Sequence, residues 1–192
     1  MPELNNQNFN HLKIHTQYSI CEGAIKIDNL KDFCKEKKIP CLGISDTSNL
    51  CGALEFAENI SKVGTQPIIG TQIYFRFEDT TGLLPLIALN ENGYKRIIEL
   101  SSRSYLENDA LSDPHLDVKE LLIDTEGVSL LSGTIHGLFG KLFEKGRLDE
   151  ISKLYRSLSS KFNDNFYLEI QRHGDQNEIA FEKFNLEQSS KI

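Results

Sequence analysis

The chain has 192 residues, 39% of them hydrophobic, and a formal net charge of −7. That allows one domain with a packed core and excludes disordered and collagen-like classes. No apolar run reaches the length that spans a bilayer, and the polar start MPELNNQNFN lacks a basic-then-apolar export pattern, so a cytoplasmic protein is expected.

Residues 10–15 alternate and read as a strand. Residues 27–38 place Ile27, Leu30, Phe33 and Cys34 at helical spacing, and Pro40 stops that helix. Residues 41–45 (CLGIS) form a short apolar strand, 52–63 a helix, and 67–77 (PIIGTQIYFRF) a third strand. A turn is expected at Thr80-Thr81-Gly82, then a strand over 83–89, where the interior Pro85 argues for an edge or an irregularity. Next come a helix over 93–105, a loop over 106–117, a short helix over 118–122 and a strand over 127–131. Helices over 137–144 and 148–161, a strand over 166–171 and a helix over 176–191 complete the chain.

Such alternation with short connections implies parallel β/α units in an open sheet or a barrel. Ligands in those folds bind at the carboxyl ends of the strands. The strand ends here are His15-Thr-Gln, Ser45-Asp-Thr, Gly70-Thr-Gln72, Ser132-Gly-Thr134 and Gln171-Arg-His173. None carries a phosphate-binding glycine loop or a G-x-S-x-G elbow. The cysteines at 21, 34, 41 and 51 form no C-x-x-C pair and read as reduced and mostly buried. Lys and Arg are scattered, and the densest run, Lys35-Glu-Lys-Lys38, ends a helix where positive charge is favoured by the macrodipole. The chain by itself is therefore a poor nucleic-acid binder.

In order, the segments HLKIHTQYSICEGA, IPCLGISDTSNLCGALEFAENISKVGTQPIIGTQIYF, LLPLIALNENGYKRIIELSSRSYLE, GVSLLSGTIHGLFGKLF and NFYLEIQRHG resemble the PHP (polymerase and histidinol phosphatase) domain. The closer likeness is to the PHP domain at the N-terminus of bacterial DNA polymerase III alpha subunits, over about residues 8–192. The resemblance implies an α/β fold, a distorted seven-stranded β/α (TIM-like) barrel, incomplete here with about six strands read from the alternation. Residues 1–192 would be the N-terminal portion of that domain, with the rest of the barrel and the polymerase domains beyond them.

Family members hold up to three metal ions at the strand ends and use them to activate water against phosphate esters. Measured against that pattern, His15, Glu22 and His173 are remnant metal positions. Lys13, Thr47, Gln72 and Thr134 stand where ligands are expected. His136 falls two residues late, and His11 does not replace the ligand lost at Lys13. A fixed ammonium at Lys13 would repel a divalent ion by several kcal/mol at ~4 Å. No catalytic residue and no cofactor are expected in this stretch, with zinc or manganese as the alternative; magnesium would belong to the absent polymerase domain. The implied role is a scaffold in a DNA-directed DNA polymerase, inactive alone, that docks a proofreading exonuclease subunit and meets DNA only through the full-length protein. The alternative is a residual metal-dependent phosphoesterase or 3′–5′ exonuclease. An unfinished barrel also exposes a strand edge, so self-association of this stretch is expected.

Other candidates read as structural. Asp46 is expected to order the loop before Ser48-Asn49 through local backbone bonds. Glu55 reads as a favourable charge at a helix start, His115 as a solvated loop residue, and Arg103 and Arg172 as salt-bridge partners. Phe162, Phe166 and Tyr167 are assigned to the core.

Overall fold

The structure, a computed structural model, describes residues 9–109 and 111–192. The polar start at 1–8 and position 110 of the expected loop lie outside them. The chain divides into two compact units, Met1–Thr71 and Gln72–Ile192.

The first unit contains helix α1 (Ile27–Lys37), strand β1 (Cys41–Thr47), helix α2 (Ala53–Ser61) and the start of strand β2 (Gln66–Phe77), which is the neighbour of β1. Helix α1 buries Ile27, Leu30 and Cys34, at the spacing of one helical face. Lys38 then turns left-handed (φ 52°) and returns its N–H to the Cys34 carbonyl, closing the helix two residues before Pro40. Residues 42–46 of β1 are all buried, so the strand is covered on both faces rather than alternating. Leu42, Ile44, Phe56 and Ile60 complete this core with α1, and Ile14, Tyr18 and Ile69 pack at its margin.

The strand expected over residues 10–15 is not formed. Only isolated bridges occur, Ile14 to Ile44 and Thr16 to Ile25. The segment does run beside β1: Gly43 donates to the His11 carbonyl (2.7 Å) and Ser45 to that of Ile14 (2.8 Å). The Ser19 amide then bonds the Thr16 carbonyl (2.9 Å), and this tight turn ends the pairing before a ladder develops. The cysteine expectation also needs correction. All are free thiols, but only Cys34 is buried; Cys21 and Cys51, in the loops beside β1, are exposed.

The second unit holds the end of β2, strands β3 (Thr80–Ala88), β4 (Leu116–Asp117), β5 (Val128–Leu131) and β6 (Phe166–Tyr167), and helices α3 (Glu91–Leu106), α4 (Leu138–Glu144), α5 (Leu148–Phe162) and α6 (Gln176–Ser189). The strand order runs β2-β3-β5-β6, with β4 on β2. The units are not all parallel. β5 pairs antiparallel with β3 (Leu86 with Leu130, Ala88 with Val128) and parallel with β6. β2 and β3 are joined through Glu78-Asp79, with Glu78 at φ 52°. Thr80, Thr81 and Gly82 are therefore strand, not turn.

Pro85 sits in an interior strand rather than an edge. Its missing N–H costs no bond to β5, because that register begins at Leu86. The final strand is shorter than expected, two residues instead of 166–171, and Tyr167 is exposed while Phe166 is half-buried. Only Phe162 of the three assigned aromatics is core.

Helix α3 begins at Asn90, whose Oδ1 accepts from the Gly93 amide at 3.0 Å. A Cβ on Gly93 would lie 1.7 Å from the Gly127 carbonyl oxygen, a backbone atom that cannot swing aside. Gly93→Ala should therefore destabilise the protein by about 1–3 kcal/mol, the usual cost of overpacking, although alanine is the better helix former. Urea denaturation measures this; an unchanged or raised midpoint would contradict the close approach.

Candidate functional site

In the first unit the expected site residues gather around the carboxyl end of β1. Asp46 is 1% exposed. Its Oδ1 accepts from the Thr16 amide (2.6 Å) and the Ser19 hydroxyl (2.7 Å), and its Oδ2 from the Thr16 hydroxyl (2.7 Å). These bonds span 27–30 residues, so Asp46 ties the distant 16–19 turn to β1 rather than ordering its own loop. A buried carboxylate demands such donors, since an unsatisfied charge there is strongly unfavourable. Ser19 also accepts from the Thr47 amide (3.1 Å), and its hydroxyl lies 3.4 Å from His15 Nδ1.

Two expected ligand positions bond one another: the Thr47 hydroxyl donates to Glu22 Oε2. His15 and Lys13 are half-buried nearby in sequence, on the segment that runs along β1. Gly23 closes the loop. Its amide bonds the Ser19 carbonyl (2.9 Å), and a Cβ on it would sit 1.9 Å from the Thr16 carbonyl oxygen.

Tyr18 packs at the edge of the same core and donates its hydroxyl to Glu55 Oε2 at 2.6 Å. Glu55 thus lies in the first turn of α2, as expected, and is also a specific acceptor. The hydrogen bond to Glu55, then its negative charge, raises the Tyr18 phenol above its ordinary value of 10.0.

In the second unit Gln72 is buried in β2, and Thr134 accepts from the His136 amide (3.1 Å) in the loop after β5. His173 stands on the loop before α6. Glu178, 8% exposed, accepts from the His173 amide and from its Nδ1, each at 2.7 Å. The His173 bonds hold the Glu178 carboxyl below its usual range. With Nδ1 engaged, Nε2 is the ring nitrogen left for any ligand, on a side chain that is 72% exposed. Arg172 pairs with Glu182 (2.6 Å) and Arg103 with Glu107 and Glu120, as salt-bridge readings require. His115 bonds the Asp113 carbonyl at 2.8 Å.

The donor sets do not fit a metal cluster. Among the described residues no three His, Cys, Asp or Glu side chains are grouped so that they could hold an ion. Glu22 is engaged by Thr47, and Glu178 by His173. No chemical step is therefore derived through a metal.

Sequence reasoning missed four residues that shape these sites. Thr16 and Ser19 carried a weak signal, as hydroxyls directly after an apolar segment. Glu178 carried a better one. It follows Asp175 by three positions, the spacing of a capping box, and Asp175 does cap α6 by accepting from the Asn177 amide (2.7 Å). Tyr18 carried none.

Residues 11–173 match the PHP domain family, and the chain belongs to it. It is 37% identical over 191 residues to the DNA polymerase III subunit alpha of Caulobacter vibrioides, covering 95% of this chain and 17% of that protein. It is 34% identical to the same subunit of Thermus aquaticus (86% and 15% covered) and 31% identical to that of Vibrio cholerae (93% and 16%). The chain thus spans about a sixth of the length of these relatives. A solved structure from Bifidobacterium adolescentis, assigned as a metal-dependent phosphoesterase, shares the fold with a TM-score of 0.55 at 12% identity, covering 94% of this chain and 84% of that one. Among the described residues no helix is long and apolar enough to cross a membrane.

Asp46→Asn replaces an acceptor of three donors with a group that can turn only one oxygen to them. It should cost about 2–3 kcal/mol in urea denaturation and raise amide exchange at residues 16–19. Exchange left unchanged there would remove Asp46 from its place as the tie.

The Tyr18 shift gives a second outcome. A phenol raised in the folded state contributes stability that is fully present below the ordinary value and is lost as pH rises through the raised one. Ultraviolet titration should place Tyr18 above 10.0, and Glu55→Gln should lower it and flatten the loss of stability at alkaline pH.

Proposed function

We propose that this chain, residues 1–192, is the N-terminal portion of the PHP domain of a replicative DNA polymerase III alpha subunit and serves there as a scaffold. Polymerisation, with its magnesium, belongs to the remaining domains of the full-length protein. DNA is reached only through those domains, and the proofreading exonuclease subunit is the expected docking partner in the cytoplasm.

One observation carries the scaffold reading: at β1, positions where the family places ligands are bonded to each other, Thr47 to Glu22. A threonine hydroxyl donates where a histidine nitrogen would accept a metal, so it satisfies the carboxylate without an ion. Gln72 and Thr134 are neutral and much weaker ligands than the groups they replace.

A second reading, residual metal-dependent phosphoesterase activity, draws on His173. An imidazole oriented by a carboxylate through Nδ1 is the arrangement commonly found behind a metal-bound Nε2. One such residue does not make a hydrolytic centre, which needs several converging ligands.

Elemental analysis separates the two. The scaffold reading expects no stoichiometric zinc or manganese in the purified protein, and full polymerase activity of the full-length enzyme after His15→Ala. Stoichiometric metal that is lost on His15→Ala and His173→Ala, together with hydrolysis of DNA ends, would establish the second reading.

A further inference from the structure

Charge is unevenly placed along this chain. Residues 99–126 hold eight Asp and Glu against two Lys and Arg, a formal −6 of the chain's −7. Part of that charge is used within the fold. Arg103 pairs with Glu107 (2.5 Å) and Glu120 (2.8 Å), and Arg96 with Glu99 (2.9 Å). Asp109, Asp113 and Asp117 are exposed and take part in no ion pair among the described residues.

The same stretch exposes large apolar side chains. At the end of α3, Tyr105 is 52% and Leu106 81% exposed, and Leu111 is fully exposed in the loop that follows. Ile98, two turns back on the side of Tyr105, is 40% exposed. The loop that carries Leu111 is closed at its base. Asn108 Nδ2 donates to the Ser104 carbonyl (2.8 Å) and to the His115 carbonyl (2.7 Å), and the Ser112 amide donates to the Asp109 carbonyl (2.8 Å). Single exposed apolar residues are common on folded chains. Three within residues 105–111, on a closed loop and the helix end it is tied to, are a local concentration of the kind that marks an interaction site.

Beside the loop lies a pocket of about 190 Å³, lined in part by Glu107, Asn108, His115, Asp117, Glu120 and Arg76. Its side chains are rich in acceptors. Asp117 gives Oδ1 to the Lys119 amide (2.9 Å), and Glu120 gives Oε2 to Arg103, so each keeps its second oxygen among the described residues. With Nδ1 donating to the Asp113 carbonyl, the neutral His115 ring keeps Nε2 as an acceptor. Arg76 is the opposing donor. An ammonium or guanidinium group finds acceptors there, whereas an anion meets like charge.

We propose that the end of α3 and the loop after it dock a basic amphipathic segment of another polypeptide. Its apolar side chains lie against Tyr105, Leu106 and Leu111, and its Lys or Arg side chains against Asp109, Asp113 and the pocket. Charge selects this occupant. A nucleic acid or an anionic lipid surface would be repelled by the acidic stretch, and a second copy would bring the same excess of negative charge. Opposite charge around an apolar centre instead steers and orients a basic partner. This assignment stands apart from the polymerase reading, which names no contact surface.

The probe is a fluorescein-labelled peptide of Lys and Leu patterned as an amphipathic helix, followed by fluorescence anisotropy at physiological ionic strength and by hydrogen exchange. The same peptide with Glu in place of Lys is the control. The expected result is binding of the Lys peptide alone, with amide protection gained at residues 105–117. Asp109→Asn with Asp113→Asn, and separately Leu106→Ser with Leu111→Ser, should each weaken binding about tenfold. All four side chains are exposed, so the fold is spared. No binding of the Lys peptide, equal binding of the Glu peptide, protection elsewhere, or full affinity in either double variant would overturn the assignment. So would residues 105–117 already protected without peptide in the full-length protein, which would give the face to its own remaining domains. Protection that grows with protein concentration would give it to a second copy and overturn the assignment too. Each of these outcomes leaves the polymerase reading intact.

Discussion

The first unit is organised by a buried carboxylate. Asp46 sits near the end of a strand whose preceding residues, Leu42 to Ser45, are all buried, where an ionised group is tolerated only if its lone pairs are filled. One amide and two hydroxyls fill them, and all three come from a single turn, Thr16 to Ser19. The requirement runs both ways. The carboxylate needs the turn, and the turn is held by the carboxylate together with the few backbone bonds that lead into it, Gly43 to His11 and Ser45 to Ile14. Everything else near β1 follows from that position. Thr47 meets Glu22, Tyr18 reaches Glu55, and Gly23 must lack a side chain because the Thr16 carbonyl fills the space.

The second unit depends on an aromatic centre instead. Tyr155 is fully buried between Phe139 (4.7 Å), Phe166 (5.6 Å) and Phe184 (6.5 Å), and burial raises its phenol well above the ordinary range. Its hydroxyl must find an acceptor in that apolar setting, and the acceptor is Asn185. This single bond draws a polar amide, 1% exposed, into the core. The aromatic cluster fixes α6 against α4 and α5.

Helices were legible where one face is apolar and the end is marked. α1 shows both, with Ile27, Leu30 and Cys34 on one side and a left-handed Lys38 before Pro40. Strands were legible as apolar runs but not in their pairing. Nothing in LLPLIAL reveals that β3 lies between β2 and β5, nor that Pro85 falls just outside the register with β5. The alternation in residues 10–15 and 166–171 was real, but strand formation also needs a partner edge along its whole length, which is a tertiary property. The site divides the same way. Ligand types at strand ends could be read one by one, whereas the Asp46 tie joins residues about thirty positions apart and left no local pattern. Glu178 was readable in principle, since Asp175 and Glu178 have capping-box spacing. Its carboxylate, however, reaches back past the cap to His173, a use that the spacing alone does not specify.

The bonds at the β1 end share a physical logic that bears on the proposed role. A metal centre holds loops together because one ion satisfies several donors at once, and removing it leaves like charges and lone pairs facing each other. A chain that loses ligands stays folded only if the remaining groups are satisfied from within. Here Glu22 accepts from Thr47, and the turn after His15 is held by two hydroxyls and an amide on Asp46. Each bond joins a neutral donor to a carboxylate, so the loops are held by groups that need no ion to pair. A hydrolytic centre here would require more than histidines in place of Lys13 and Thr47. A histidine at position 47 would also remove the hydroxyl that now engages Glu22. The arrangement is thus stabilised by pairings within the chain itself.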